Sequence, residues 1–238
     1  MTDSTSTPTP TPTPKAKRTR GDVNKQILAD LELSETVASA AADPAHAAAL
    51  ADEGVDAAAV TNLNTLNSQG RDLAKQVVEN KKLHLDTNKT EAKAHATLMT
   101  ALRGIQSRAK RKFAKDKPRQ AAYGIGKKNF GQSRNELDQD ATAILKLAAA
   151  DTLPGLTPVK LTAANTAYTG WKQTFIAQNQ AAETQARAVI NLTAKAGAIN
   201  DARRDVQHAV ETIWPHTNKA NTATRRAFQM PADQALPK

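Results

Sequence analysis

The sequence predicts an all-α protein, an elongated four-helix bundle with two long and two short helices. Apolar residues recur at steps of three and four over long stretches, and no segment shows the β-branched alternation typical of strands. The chain is rich in alanine, while aromatic residues make up only 3% of it. This composition favours closely packed helices with small side chains at their seams over a bulky globular core.

The clearest apolar stripe predicts a helix from about residue 159 to 214. No proline interrupts this segment, and Pro215 then ends it. An unbroken helix of this length would reach on the order of 80 Å. Four aromatic residues on it are predicted to be core or interface anchors: Tyr168, Trp171, Phe175 and Trp214.

The remaining chain divides into an N-terminal arm, two helical units and a short tail. Alternating Thr and Pro predict an extended or disordered basic arm over residues 1–20. The units are predicted over residues 21–131 and 132–230, with a frayed C-terminus over 231–238.

Each predicted unit pairs a short helix with a long one. The first holds a short helix at about 22–42, a long helix at about 55–115 and a basic loop from Pro118 to Gly131. The second holds a short helix at about 133–150 and the long helix at about 159–214. Asp86-Thr87-Asn88 indicates a kink in the first long helix, because such side chains compete for backbone hydrogen bonds, but we expect one long helix there.

The order of features suggests an internal duplication. The sequence Ala-Ala-Ala-Asp occurs at 40–43 and again at 148–151, and Gly54 and Gly155 precede the two long helices. Each long helix also ends at an aromatic residue, Phe113 or Trp214. Two such units would form an elongated bundle around a pseudo-twofold axis.

Short motifs in the second unit resemble a group of uncharacterised bacterial helical-repeat proteins, sometimes found with fibronectin-type-III-like domains. They are Leu156-Thr-Pro, Tyr168, Trp171, Gln180-Ala-Ala, Arg187, Ala202-Arg203, the segment 222–228 and Pro231. The resemblance covers the second unit best and the first more weakly, as its repeat. It implies the helical layout and no particular chemistry.

Positive charge is concentrated in one part of the chain. The net charge is +10, and residues 103–134 hold eleven Lys and Arg against one Asp. The candidate contacts for a polyanion or a neighbouring subunit are Arg103, Arg108, Lys110, Arg111, Lys112, Lys115, Lys117, Arg119, Lys127 and Lys128. Three interpretations stay open: a solvated helix end that complements the helix dipole, an assembly contact, or a site for nucleic acid or another polyanion.

No residue pattern predicts a catalytic, cofactor or metal site. Cysteine is absent, which excludes disulfides and thiolate chemistry. His84, Glu91 and His95 form the only cluster that resembles a metal site, and we interpret them as polar residues that fix helix register. No secretory signal or membrane span is expected, so the default prediction is a cytoplasmic protein.

The function predicted from these patterns is structural. We expect a non-enzymatic homo-oligomer that assembles through long helical faces and charge-complementary ends. The alternative is a nucleic-acid-binding accessory protein that uses residues 103–128 and the N-terminal arm.

Overall fold

All regular structure in the described part of the protein is helical. The computed structural model describes residues 23–236, so the predicted arm at 1–20 lies outside the described residues. The elements are α1 (Lys25–Ala42), α2 (Pro44–Asp52), α3 (Ala57–Lys112), α4 (Lys117–Ala122), α5 (Arg134–Ala150), α6 (Pro158–Ile213), a 3-10 turn (Lys219–Asn221) and α7 (Thr222–Ala227). The all-α class is thus confirmed for these residues. They form seven α-helices, three more than the predicted four, and the additional ones are α2, α4 and α7.

Two antiparallel helices of 56 residues each, α3 and α6, form the frame of the molecule. At 1.5 Å per residue each is about 84 Å long. Their direction is fixed by cross-helix contacts: Lys195 donates to Gln69 at 2.8 Å, and Trp171 donates to Glu91 at 3.0 Å. Residues near the start of α3 therefore lie beside residues near the end of α6.

A seven-residue repeat runs the full length of both long helices. A strict seven-residue period keeps one seam facing the partner helix through slight supercoiling. In α3 the seam positions are Leu63, Gly70, Val77, His84, Glu91, Leu98 and Ile105. In α6 they are Ala164, Trp171, Gln178, Gln185, Leu192, Ile199 and Val206. All of them are buried except His84 and Gln178, which are half-buried.

The short helices α1 and α5 cover opposite ends of this pair. At one end α1 buries Val37, Ala38 and Ala41 against Leu63 of α3 and Val210 of α6. At the other end α5 packs on the second half of α3, and its buried face is Leu137, Ala141, Ile144, Leu145 and Ala148. Each end thus has its own three-helix core.

Local capping fixes where the long helices start. The Asp56 carboxylate accepts from the backbone N–H of Ala59 at 2.8 Å, and Thr157 caps α6 in the same way. The helix α3 continues through the Asp86-Thr87-Asn88 segment, where the sequence indicates a kink. There the Thr87 hydroxyl donates to the His84 carbonyl at 2.9 Å, so the side chain bonds within the helix without interrupting it.

The structure corrects one local prediction, the loop from Pro118 to Gly131. Its first part is helical, since α4 covers Lys117–Ala122. Asp116 caps this helix by accepting from the Arg119 N–H at 2.9 Å, and Pro118 lies in the first turn, where a missing N–H costs nothing.

The segments that follow the two long helices are built alike. After α3, the Gln120 amide donates to the Phe113 carbonyl at 2.7 Å, and Phe113 stacks on Tyr123. After α6, the Arg225 guanidinium donates to the Trp214 carbonyl at 2.9 Å, and Trp214 stacks on Phe228. The side chains of Gln120 and Arg225 are both buried. Each of these two side chains holds the end of a long helix against the short helix that follows it.

Candidate interaction surfaces at the two tips

We call the end formed by residues 101–165 the basic tip. It contains the end of α3, the helix α4, the helix α5 and the start of α6. Lys110, Arg111 and Lys112 occupy the last turn of α3, where cations complement the negative end of the helix dipole. Part of the charge cluster is therefore explained by the helix itself.

Four of the ten candidate cations are held by the protein. Arg119 binds Asp151 through two hydrogen bonds of 2.7 and 3.1 Å, and Lys127 binds Asp140 at 2.7 Å. Two others donate to backbone carbonyls beyond α5: Lys112 to Thr152 at 2.9 Å, and Arg108 to Gly155 at 3.3 Å. These four contacts join α3, α4 and the 123–133 loop to the α5–α6 side of the tip.

Asp151 is the centre of the tip's hydrogen-bond network. The hydrogen bond from Arg119 holds the pKa of this carboxyl below its usual value, and the bond from Tyr123 at 2.7 Å adds to the effect. Burial raises the pKa of the Tyr123 hydroxyl, and its contact with Asp151 raises it further. The sequence predicts Arg119 as part of the basic cluster, but no local pattern identifies its partner 32 residues away.

The other six candidate cations make no ion pair or hydrogen bond with a described residue: Arg103, Lys110, Arg111, Lys115, Lys117 and Lys128. All six are exposed. They provide free positive charge at the basic tip.

A groove of about 330 Å³ runs between α3 and the loop after α4. Four cationic side chains line it: Arg103, Lys110, Lys127 and Lys128. Its loop wall includes Gly124, whose φ of 70° lies in the left-handed region that favours glycine. The groove gives the basic tip a concave cationic surface.

The opposite end, which we call the acidic tip, consists of residues 26–70 and 196–236. Residues 26–70 hold seven Asp and Glu and no Lys or Arg, while 196–236 hold five basic and four acidic side chains. A shallow groove of about 620 Å³ between α1 and α7 is lined by Glu32, Glu35 and Asp43. Glu35 pairs with Arg71 at 2.7 Å and Asp43 caps α2, whereas Glu32 is exposed and makes no ion pair with a described residue.

The predicted aromatic anchors lie at both ends of α6. Trp171 is fully buried and stacks on Phe175, while Tyr168 and Phe175 are half-buried in contact with α5 or its first residue. The half-buried Trp214 packs against Phe228 and His46 at the acidic tip. Trp171, Tyr168 and Trp214 belong to the hydrophobic cores of the two ends, whereas Phe175 lies between the Trp171 ring and the Arg134 guanidinium.

The polar residues His84, Glu91 and His95 have separate partners. Glu91 accepts from Trp171 at 3.0 Å and from Arg134 at 3.2 Å. His95 meets the Gly131 carbonyl at 3.0 Å, and His84 bonds Asn88 one turn along α3 at 3.2 Å. Among residues 23–236 no three His, Asp or Glu side chains converge on one point where a metal ion would fit.

Between the tips lies a section that we call the waist, residues 78–90 of α3 and 176–190 of α6. The helix α1 packs through Ile27 and Leu28 near Val77 and Ala188, and Arg134 at the start of α5 reaches Glu91 and Gln178, so the short helices touch only the two ends of the waist. No α3 residue from 78 to 90 is buried. Large apolar side chains are exposed here instead: Val78, Leu83, Leu85, Ile176 and Ile190. No helix in the described range has the length and apolarity of a membrane span.

The described residues thus define an all-α protein built on a pair of long antiparallel helices, with surfaces of opposite charge at its two ends. No protein-family model, curated protein or solved structure matches the chain.

Proposed function

We propose that this chain is a non-enzymatic structural protein that self-assembles through its oppositely charged tips and its exposed helical faces. The observation that carries the proposal is the separation of charge along a rod of about 84 Å. Residues 103–134 supply eleven cations against one anion at one end, and residues 26–70 supply seven anions and no cation at the other. Opposite charges at the ends of a rod favour head-to-tail contact between copies.

The two grooves give this contact a geometry. The basic groove presents Arg103, Lys110 and Lys128 without described partners, and the acidic groove presents Glu32. A head-to-tail contact is heterologous, because it joins different surfaces, and it produces an open chain or a ring. The exposed apolar residues of the waist offer a lateral surface, since exposed apolar side chains favour association when a partner covers them.

We also propose the finer architecture, a bundle of two long and two short helices that arose by internal duplication. Adding 101 to a residue number in α3 gives the equivalent position in α6, since the helices begin at Ala57 and Pro158. The buried faces of the short helices match as well: Ser34, Val37, Ala38 and Ala41 of α1 correspond to Ala141, Ile144, Leu145 and Ala148 of α5. A duplication would at first produce two tips of similar charge. The opposite charges of the present tips would then have arisen by later sequence divergence, and they distinguish one end of the rod from the other.

Charge reversal at single tips tests the assembly. In Lys110→Glu/Lys128→Glu the basic tip loses positive charge. In Glu32→Lys/Glu53→Lys the acidic tip loses the negative charge of Glu32 and of Glu53, an exposed residue at the end of α2. We expect the wild-type protein to form multimers at low salt that dissociate in about 0.5 M NaCl, where the Debye length is only a few Å. Each variant alone should stay monomeric in light scattering, and an equimolar mixture of the two should associate again.

The matched control changes the charge by the same amount away from the tips. Lys82→Glu/Lys93→Glu alters two exposed lysines of α3 between the tips, and we expect it to assemble like the wild type. A wild-type protein that remains monomeric at every salt concentration would remove the basis of the proposal.

The six unpaired cations also favour a second candidate function, binding of nucleic acid through residues 103–128 and the arm. Phosphate neutralisation makes affinity fall steeply with salt, with a slope of log K against log salt of about −0.9 per phosphate contacted. Fluorescence anisotropy with a labelled duplex measures that slope. Lys110→Glu/Lys128→Glu should weaken binding and make the salt slope shallower, whereas Glu32→Lys/Glu53→Lys should leave both unchanged, which separates this function from head-to-tail assembly.

A further inference from the structure

One layer of the acidic-tip core is polar, and the packing register places its members together. Leu31 of α1 and Ile199 of α6 lie within 2.8 Å of the position that a Cβ on Gly70 would take, so these three residues share one level. One helical turn from there toward the acidic tip, α1 contributes Ser34, α3 contributes Asn67 and α6 contributes Arg203. Each of the three helices therefore supplies a polar side chain to the next layer.

Each of these side chains has at least one buried polar atom without a described hydrogen-bond partner. Ser34 is 0% exposed and Asn67 is 3% exposed. Ser34 Oγ, both polar atoms of the Asn67 amide and Arg203 Nε make no hydrogen bond to a described residue. Leaving a buried donor or acceptor unpaired costs more than a typical hydrogen bond contributes, so the layer is expected to hold a hydrogen-bonding occupant.

The equivalent layer at the basic tip contains no such group in its core. There the matching positions are Ala141 of α5, Leu102 of α3 and Tyr168 of α6; the first two are fully buried. The Tyr168 hydroxyl leaves the core to donate to Asp138 at 2.7 Å. The same fold can therefore fill this layer with apolar side chains. The buried polar side chains are specific to the acidic tip.

The chemistry of the layer suits an anion. Three of its unpaired atoms can donate a hydrogen bond, Ser34 Oγ, Asn67 Nδ2 and Arg203 Nε, and Asn67 Oδ1 alone can only accept. The remaining guanidinium nitrogens of Arg203 donate to side-chain amide oxygens of Gln207, at 2.7 Å, and Asn200.

No described carboxylate forms an ion pair with Arg203. Burial lowers the pKa of its guanidinium, Asp30 opposes that effect from a distance, and Arg204 adds to it. A cation would be repelled by Arg203, whereas an anion would supply the missing negative charge.

We propose that this layer binds a small monovalent anion of the size of chloride, held by Ser34, Asn67 and Arg203. The site also connects to the C-terminal segment. Gln207, which accepts from Arg203, donates to the Phe228 carbonyl at 2.9 Å. An anion that orders Arg203 therefore stabilises the contact between α6 and the segment after α7. This inference does not depend on self-assembly.

Thermal unfolding of the full chain in bromide tests the site. Sodium bromide is exchanged for sodium gluconate at a constant ionic strength of about 0.3 M, so that general screening is unchanged. Bound bromide stabilises the folded state by mass action, and we expect the wild-type Tm to be about 2–4 °C higher in bromide. Asn67→Leu and Arg203→Leu should both lack this rise, and the difference that they still show between the two salts measures the general effect of the anions on stability.

Asn64→Leu is the matched control, because Asn64 is exposed on the same helix, and it should keep the bromide response. Crystals soaked in bromide give a second readout that does not depend on the stability of any variant, namely an anomalous peak between the three side chains. A wild-type response to bromide no larger than that of Asn67→Leu and Arg203→Leu, or a water molecule without anomalous signal in the layer, would overturn the proposal.

Discussion

Asp151 joins three parts of the basic tip through one carboxylate. It accepts from Arg119 of α4 and from the buried Tyr123, and it is also the residue that ends α5. Because Tyr123 is fully buried, its hydroxyl depends on this one acceptor. The residue thus connects the charge of the tip to its core.

Asp151→Asn should lower the free energy of unfolding at pH 7 by about 1–2 kcal/mol, since a charged acceptor is replaced by a neutral one. The pKa of Asp151 is lower in the folded protein than its usual value of 3.8. Its contribution is therefore complete above that value and is lost as the pH falls below it through the folded pKa.

Urea unfolding at pH 7, 5 and 3 measures the difference between wild type and variant. We expect the same difference at pH 7 and 5 and a smaller one at pH 3. A difference that does not change with pH would show that the carboxylate charge is not what stabilises the tip.

At the scale of the elements, packing decides whether a glycine in the long helices is favourable. Gly70 lies on the seam, where an added Cβ would come within 2.7 Å of Leu31 and 2.8 Å of Ile199. At Gly170 an added Cβ would meet nothing within 4 Å. The two positions occupy the same kind of helix in different surroundings.

Gly170→Ala should stabilise the protein by about 0.5–1 kcal/mol, because alanine is the better helix former. Gly70→Ala gains the same propensity but crowds two apolar side chains, and we expect a net loss of about 1 kcal/mol. Denaturant unfolding of both variants measures the contrast. Equal stabilisation by both substitutions would mean that the α1–α3–α6 core adjusts freely.

Periodicity makes the long helices predictable, whereas the shortest helices depend on capping. The stripe through Tyr168 and Trp171 indicates α6 because each turn buries the same face. Pro118 predicts a loop when it is read as a breaker, but Asp116 before it is a helix-capping residue, and α4 forms there. The pairing of Arg119 with Asp151 and the polar layer at Ser34 depend on contacts between distant segments, which a single sequence does not reveal.

At the scale of the whole molecule, length and charge together predict how assembly changes the particle. A single rod has a maximum dimension of about 85–95 Å, set by its 56-residue helices. Head-to-tail contact adds about one rod length per copy, whereas pairing through the waist leaves the length nearly unchanged.

Small-angle X-ray scattering across a salt series measures this dimension. We expect a single-rod value in high salt and a value near twice as large, or larger, in low salt, because screening weakens the contact between the tips. An increase in mass without an increase in length would favour lateral pairing and would contradict the head-to-tail contact.

The waist has a further consequence for how the length of the protein can change. The helices α1 and α5 reach only its two ends, and the same seven-residue period runs through both of its helices. Removing seven residues from each helix there would shorten the rod by about 10 Å and leave both tips in register. Removing them from one helix alone would misalign every pair beyond the cut. Paired deletions in the waist should therefore change the distance between the two charged ends without changing the structure of either end.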